Sequence, residues 1–284
     1  ENWCVTESRP YIGRFAPTPS GPLHFGSLVA AVGSWLDARV HAGKWHLRID
    51  DLDGPRVVPG SIDSILKTLE RFELAWDGDV LFQSNRFDAY EEALTALVDM
   101  KRTFPCACTR KQLAGHAIYP GTCKGASNVE PRSVRFAVEA GAVDWQDGGL
   151  GTMSMDLSSE VGDFGLRNAH GIYSYHLANV VDDMHLGITD VVRGADLAPF
   201  TAAHLHLQRT LGGDEVRYHH LPLAVDDRGR KLSKQTHAQA VDEVPVAEAL
   251  NAVFEHLGLP MALPGSPTTM LAEALAHWRD RKGL

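Results

Sequence analysis

The order strand, tight turn, helix, strand near the start of this chain restricts its architecture more than any other feature. Residues 11–15 are a short apolar and aromatic run suited to a strand. Pro17, Pro19, Gly21 and Pro22 make the next segment a rigid turn. From residue 26 to about 42, Leu28, Val29, Val32, Trp35, Leu36 and Val40 recur at helical spacing, and Gly43 ends the helix. Residues 44–50 alternate polar and apolar as a strand does. A strand that returns through a helix to another strand forms a parallel pair with a right-handed crossover. The fold class expected is therefore α/β, with a parallel sheet.

The alternation continues with a helix capped by Ser61, whose inner face carries Ile62, Ile65, Leu66 and Leu69, and with a helix over 87–101. Residues 103–170 break the rhythm. They hold three cysteines, a Gly/Pro-rich patch at 119–131, β-like runs at 134–138 and 142–146, and a Gly-rich turn at 148–151. Helical spacing returns at 173–184, then a strand at 188–193, a helix at 197–211 and an apolar strand at 218–224. Beyond Lys234 the chain reads as two helices, near 246–257 and 268–282, split by a Pro/Gly linker. The division expected is 1–102 for the first half of a Rossmann-like catalytic domain and 103–170 for an insertion. Residues 171–240 form the second half, and 241–284 a short helical segment, too small for a further domain.

At 284 residues the chain can bury a sizeable core, and 44% hydrophobic with 22% charged residues is ordinary for a soluble globular protein. No run approaches the eighteen apolar residues of a membrane span, and the first ten residues read as a loose leader rather than a signal peptide. Cys4 is isolated, whereas Cys106, Cys108 and Cys123 are clustered, which suggests a metal rather than a disulfide framework and a cytoplasmic setting. The net charge of −9 argues against a protein coated in positive potential, though not against a confined basic face.

Two distant segments carry the chemistry. Gly26 and Ser27 open a helix whose free N–H groups and positive dipole end suit phosphate, and His24 just before it can donate to the same anion. Lys231-Leu-Ser-Lys-Gln235 is a late basic loop, and Lys231 and Lys234 suit the charge that grows on a leaving pyrophosphate, together with Mg²⁺. Paired, they describe an ATP site that makes adenylates. In the insertion, three thiolates from Cys106, Cys108 and Cys123 can hold one structural Zn²⁺ with a fourth ligand. His116 and Tyr119 are the nearby donors, and by chemistry alone imidazole is the commoner ligand.

These two segments resemble the paired ATP motifs of class I aminoacyl-tRNA synthetases, written H-I-G-H and K-M-S-K-S. More narrowly, RFAPTPSGPLHFG at 14–26, RIDDLD at 48–53, FQSNR at 82–86 and PCACT at 105–109 resemble the glutamyl branch, over about 11–240. The similarity extends to its short members, the glutamyl-queuosine tRNA(Asp) synthetases. The resemblance implies that Arg14, Phe15, Ala16, Pro17 and Thr18 line a glutamate pocket, that Asp50 binds the amine, and that Tyr175 and Arg193 complete it. It makes Lys234 the principal ATP contact with Lys231 in support, beside His24, Gly26 and Ser27. It makes Tyr119 the fourth zinc ligand. The chain departs from the family pattern at Ser27, Leu232 and Gln235, and at Asp50, where glutamate is usual.

The activity implied is ATP-dependent activation of L-glutamate and its transfer to queuosine in the anticodon of tRNA(Asp), by a monomer with no membrane association. Two alternatives stay open: a minimal enzyme charging tRNA(Glu), and a nucleotidyltransferase with a non-RNA acceptor. Arg110, Lys111, Arg132, Arg135, Arg209, Arg228 and Arg230 are candidates for a basic face toward RNA.

Overall fold

Strands and helices alternate along the chain in the computed structural model, which describes residues 9–127, 129–224 and 240–284. β1 (Ile12–Phe15) leads into α1 (Phe25–Val40) and back through β2 (Lys44–Ile49), followed by α2 (Ser61–Arg71), the short β3 (Leu81–Phe82) and α3 (Phe87–Asp99). β1 pairs in parallel with β2, and β2 with β3, as the strand–helix–strand order requires. Next come β4 (Thr103–Cys106), α4 (Arg110–Leu113), β5 (Ser133–Phe136), β6 (Ala142–Asp147), β7 (Gly151–Asp156), α5 (Leu157–Glu160) and β8 (Gly165–Arg167). The remainder is α6 (Tyr175–His185), β9 (Asp190–Gly194), α7 (Thr201–Thr210), β10 (Arg217–Leu221), α8 (Val246–His256) and α9 (Pro267–Lys282).

β9 and β10 form a second parallel pair. The two parallel sheets meet where the Thr189 N–H donates to the Ile12 carbonyl at 2.8 Å, and the Ile12 N–H to Thr189 Oγ1 at 2.8 Å. The stretch 103–170 splits between two sheets. β4, β5 and β8 make a small antiparallel sheet, whereas the hairpin β6–β7 joins the edge of β10, with Asp147 facing Tyr218.

α1 is buried on two sides. Leu28, Ala31, Val32 and Leu36 pack on Trp45, Leu47 and Ile49 of the sheet and against Leu250, Phe254, Met270 and Trp278 of α8 and α9. A second core lies under α6 and α7. Ser61 is a correction to the expected cap. It is the first helical residue, Gly60 at φ 79° is the N-cap, and the single Ser61 hydroxyl proton is shared between the carbonyls of Pro19 and Val58, each 2.6 Å from Oγ. That hydroxyl pins the Pro-rich turn instead of closing the helix. Among the described residues, no helix is long and apolar enough to cross a membrane.

One buried carboxylate fixes α9 to the sheet. Asp37 in α1 accepts from the Tyr11 hydroxyl at 2.8 Å and Trp278 Nε1 at 2.9 Å, and pairs with Lys282 Nζ at 2.8 Å. Burial pushes this carboxyl up, but the Lys282 charge and the donors outweigh it and hold it below the ordinary carboxylate range. A depressed pKa stabilises the fold above the unfolded value near ~4, and that stability is lost as pH falls through the folded value. Asp37→Ala strands three donors and is expected to cost about 3 kcal/mol, a fall in Tm of roughly 6–12 °C at neutral pH. Thermal melts should show this gap narrowing below pH ~4. A gap that does not change with pH would remove the charge from the explanation.

Candidate active site

In an open α/β sheet, ligands settle beyond the carboxyl ends of the strands where the strand order reverses. Here that point is the junction of β1 and β9, and a cavity of ≈ 770 Å³ opens there. Arg14, Phe15, Ala16, Pro17 and Thr18, from the end of β1 and the turn after it, supply one wall. His24, Gly26 and Ser27 at the start of α1 supply a second, and Tyr175 and Arg193 a third. Asp50 is not part of the wall. Its oxygens face Arg48 Nε at 2.6 Å and Arg48 Nη2 at 3.3 Å, and its N–H donates to the Pro17 carbonyl at 3.0 Å. Burial raises its pKa, against the opposing pull of Arg48.

Arg14 is buried and oriented from α6. Its Nε donates to Asp183 Oδ1 at 3.0 Å and its Nη2 to Asn179 Oδ1 at 3.2 Å. Arg48 Nη1 reaches the same Asp183 oxygen at 2.8 Å, and its Nη2 reaches Asn179 Oδ1 at 2.9 Å. The neighbouring Asp182 accepts from Gln83 Nε2 at 2.9 Å, Arg86 Nε at 2.8 Å and the Tyr90 hydroxyl at 2.8 Å. Asp51 accepts from the Ser84 N–H and hydroxyl at 2.8 and 2.7 Å. The RIDDLD and FQSNR segments are thus fastened to each other and to α6.

Arg193 is held from behind by a different chain of groups. Its Nη2 donates to Thr201 Oγ1 at 2.8 Å and to the Leu197 carbonyl at 3.0 Å, and its Nη1 lies 3.5 Å from the Tyr175 hydroxyl. Its Nε–H points to His220 Nε2 at 3.1 Å, so His220 carries its proton on Nδ1, which meets Asp147 Oδ2 at 2.5 Å. Asp147 also accepts from the N–H groups of His220, Gly149 and Leu150 at 3.1, 2.9 and 3.0 Å. Burial raises the Asp147 carboxyl, yet these hydrogen bonds win and hold it well below the usual carboxylate range. A Cβ on Gly149 would collide with the His220 carbonyl oxygen, so the Gly-rich turn is what lets Asp147 reach β10. His204 and His176 stand behind Tyr175. Burial, then the Arg193 charge, lowers both, His176 to about 4.

α1 begins with His24 as its N-cap. His24 Nδ1 accepts from the Ser27 N–H at 3.3 Å, and Nε2 lies 3.2 Å from Ser27 Oγ. Ala224 lines the cavity at one side of the later segment, and Ala240 bridges to His24 at the other. Lys231, Leu232, Lys234 and Gln235 lie outside the described residues, as do Cys4, Arg228 and Arg230.

In the insertion, the Sγ atoms of Cys106, Cys108 and Cys123 lie within 4.8 Å of one another, and Cys108 and Cys123 are 3.6 Å apart. Bonds of ~2.3 Å from a tetrahedral metal to sulfur give sulfur–sulfur separations of about 3.8 Å, so the three fit a single ion. The Tyr119 oxygen is 3.5 Å from Cys106 Sγ and 3.9 Å from Cys108 Sγ, where a fourth ligand belongs. The exposed His116 is not in this group. Burial raises the Cys106 thiol, but donors from Tyr119 and Arg135 bring it down to about 6.

The positioning groups Arg48, Asp147, Asn179, Asp183 and His220 were not foreseen. Arg48 opens the RIDDLD segment but was given no role, and the trace of the others in the sequence is a set of charged or polar residues inside apolar strands and helices, which pattern alone does not pair. Arg56 and Asp196 also line the cavity without having been anticipated.

Residues 12–253 match the family described as tRNA synthetases class I (E and Q), catalytic domain. The glutamyl-Q tRNA(Asp) synthetase of Dechloromonas aromatica is 48% identical, across 95% of this chain and 94% of its own length. That of Aromatoleum aromaticum is 49% identical, across 95% and 89%. The solved glutamate-tRNA synthetase of Elizabethkingia anophelis superposes with a TM-score of 0.72 at 27% identity, over 83% of this chain. The chain spans 54% of that synthetase's length, about half. By its catalytic domain, this chain belongs to the class I tRNA synthetases of the E and Q type.

Proposed function

We propose that the protein activates L-glutamate with ATP to glutamyl-adenylate and transfers the glutamyl group to queuosine in the anticodon of tRNA(Asp). The observation that carries this reading is one cavity that joins two cationic forks, Arg14 and Arg193, to the N-terminus of α1. Glutamate brings an ammonium and two carboxylates, and bidentate arginines are the side chains best matched to carboxylates. The names of relatives alike over some 95% of the chain support queuosine-bearing tRNA(Asp) as acceptor. The likeness to solved glutamate-tRNA synthetases favours charging of tRNA(Glu) instead, at lower identity and over less of the chain.

In this reading Arg14 and Arg193 orient the carboxylates, with Phe15 to Thr18 and Tyr175 shaping the pocket. The role of Asp50 toward the ammonium rests on the resemblance alone, since Asp50 lies outside the cavity wall with both oxygens on Arg48. The substrate α-carboxylate attacks the α-phosphorus of ATP, the bond to the bridging oxygen breaks, and pyrophosphate leaves. His24 and the small residues Gly26 and Ser27 at the start of α1 would stand at the phosphates, with the Ser27 N–H itself taken up by the His24 cap, and Lys231 and Lys234 meet the leaving group by their motif. Mg²⁺ bound with ATP supplies further charge neutralisation. The acceptor then attacks the acyl carbon and AMP departs. Zn²⁺ would be held by Cys106, Cys108, Cys123 and Tyr119, where it would fasten the end of β4 to the loop at 119–123 and take no part in the chemistry. Burial and the neighbouring Cys106 and Cys123 thiols raise the Tyr119 hydroxyl well above its usual range, so its phenolate would form only with the metal in place, helped by the Cys123 N–H 2.8 Å from its oxygen and the Arg135 guanidinium carbon 4.1 Å over its ring. The division into two catalytic halves, an insertion and a helical C-terminal segment, a monomeric state and a cytoplasmic location belong to the same proposal.

Incubation with labelled glutamate, ATP and Mg²⁺ is expected to label queuosine-containing tRNA(Asp) and neither unmodified tRNA(Asp) nor tRNA(Glu). Labelling of tRNA(Glu) would establish the charging enzyme instead. Asp147→Asn disturbs the His220 proton and with it the Arg193 fork. The KM for glutamate in pyrophosphate exchange should rise about tenfold while that for ATP stays nearly constant. Equal changes in both would make Asp147 a stability residue. Tyr119→Phe should weaken zinc retention against a chelator by about 10–100-fold, with His116→Ala unchanged. The reverse ranking would make His116 the ligand.

A further inference from the structure

A second cavity, of ≈ 500 Å³, lies between the thiol cluster and the start of α6. Arg110, Arg132, Arg135, Arg167 and His170 line it, and no carboxylate does. In a chain of net charge −9, four arginines around one hollow free of acids form a local inversion of sign. Arg110 and Arg132 are exposed and take part in no ion pair among the described residues. Arg135 is half-buried, and its Nε is buried with no hydrogen-bond partner. Arg167 alone is paired, with Glu91 at 2.8 Å. Arg167 is engaged by Glu91 and Arg135 by the Tyr119 ring and the Asp163 carbonyl, which leaves the exposed Arg110 and Arg132 as the two guanidinium groups open to an external anion. The hollow is also of the size that holds an organic group rather than a bare ion.

Its position defines the anion further. Tyr173 and Ser174 line this cavity, and the next residue, Tyr175, lines the larger one. The two cavities therefore flank the same short stretch of chain, at the start of α6.

We propose that this arginine cavity seats a backbone phosphate, with its ribose, of the RNA substrate, next to the nucleotide that reacts in the neighbouring cavity. The proposal rests on the RNA-modifying reading above and gives that reading a place for the RNA. Arginine forks grip phosphate oxygens without reading bases, so the cavity fixes register while the larger one selects the reacting nucleotide. Arg209 has no part in it, since it pairs with Glu215 at 2.6 Å and lies outside the lining.

The test measures binding of queuosine-containing tRNA(Asp) across a potassium chloride series, for the unaltered protein and for the double variant Arg110→Ser, Arg132→Ser. Both side chains are exposed and unpaired, so the variant should melt as the parent does. RNA affinity should drop at least about tenfold, and the slope of log K against log salt should become shallower by about 1.4, near 0.7 for each lost contact to single-stranded RNA. Arg110→Lys with Arg132→Lys should restore the slope, and Arg209→Ser should leave it alone. An unchanged slope and affinity in the double serine variant overturns the proposal. So does weaker binding of free pyrophosphate with RNA binding intact, which would make the hollow a small-anion site. Glutamate-dependent pyrophosphate exchange by the unaltered protein tests the activity reading separately, because its failure leaves the RNA-binding result standing.

Discussion

A single oxygen of Asp183 accepts from two buried guanidinium groups, Arg14 at 3.0 Å and Arg48 at 2.8 Å. The two arginines come from β1 and β2, and Asp183 from α6, so the interaction ties the β1–β3 sheet to the helix that precedes β9. Removing two such cations from water is costly, and removing them without a counter-charge costs several kcal/mol each, on the order of the whole stability of a domain. Asn179 and Asp50 complete the neutralisation. The sheet without α6 would bury charge without its partner, so the docking of α6 and the placement of Arg14 are one event.

That dependence explains why the cavity sits at the seam. β1 and β9 adjoin through Thr189, and each delivers one arginine at its carboxyl end. The two are held from different directions. Arg14 is fixed by carboxylate and amide groups of α6, while Arg193 is fixed by His220, Thr201 and the Asp147 turn of the hairpin β6–β7. The hairpin therefore does more than lengthen an insertion. By joining β10 it brings Asp147 under the fork, and two glycines let the turn come that close.

The local elements were legible because their signals are local. The period-two run of β2, the helical face of α1 and the turn between β1 and α1 need only neighbours in sequence. The thiol cluster was legible from spacing, since Cys106, Cys108 and Cys123 are close along the chain. Long-range pairings were not. Asp183 reads as one acid among many until α6 is laid against β2, and His220 as half of a surface-like His-His pair until β10 is placed beside Asp147. Ser61 reads as a cap by type, but its hydroxyl has the Pro19 carbonyl within reach, a contact that only the folded turn creates. The choice between His116 and Tyr119 shows the same limit. Chemistry ranks imidazole first, whereas the fold leaves His116 outside the thiol group and puts the phenol oxygen against two of the sulfurs.

The charge balance of the chain follows the same division between local and global. A net charge of −9 would repel a nucleic acid brought near the whole surface, with the repulsion screened beyond about 10 Å at ordinary salt. Within that distance only nearby side chains count. Arg110, Arg132, Arg135 and Arg167 share a hollow without carboxylates, whereas Arg209 and Arg217 are spent on Glu215 and Asp190. On the proposed RNA-modifying reading, the acid excess restricts where an RNA can approach, and the arginine hollow beside α6 is the side from which it would reach the cavity at the seam.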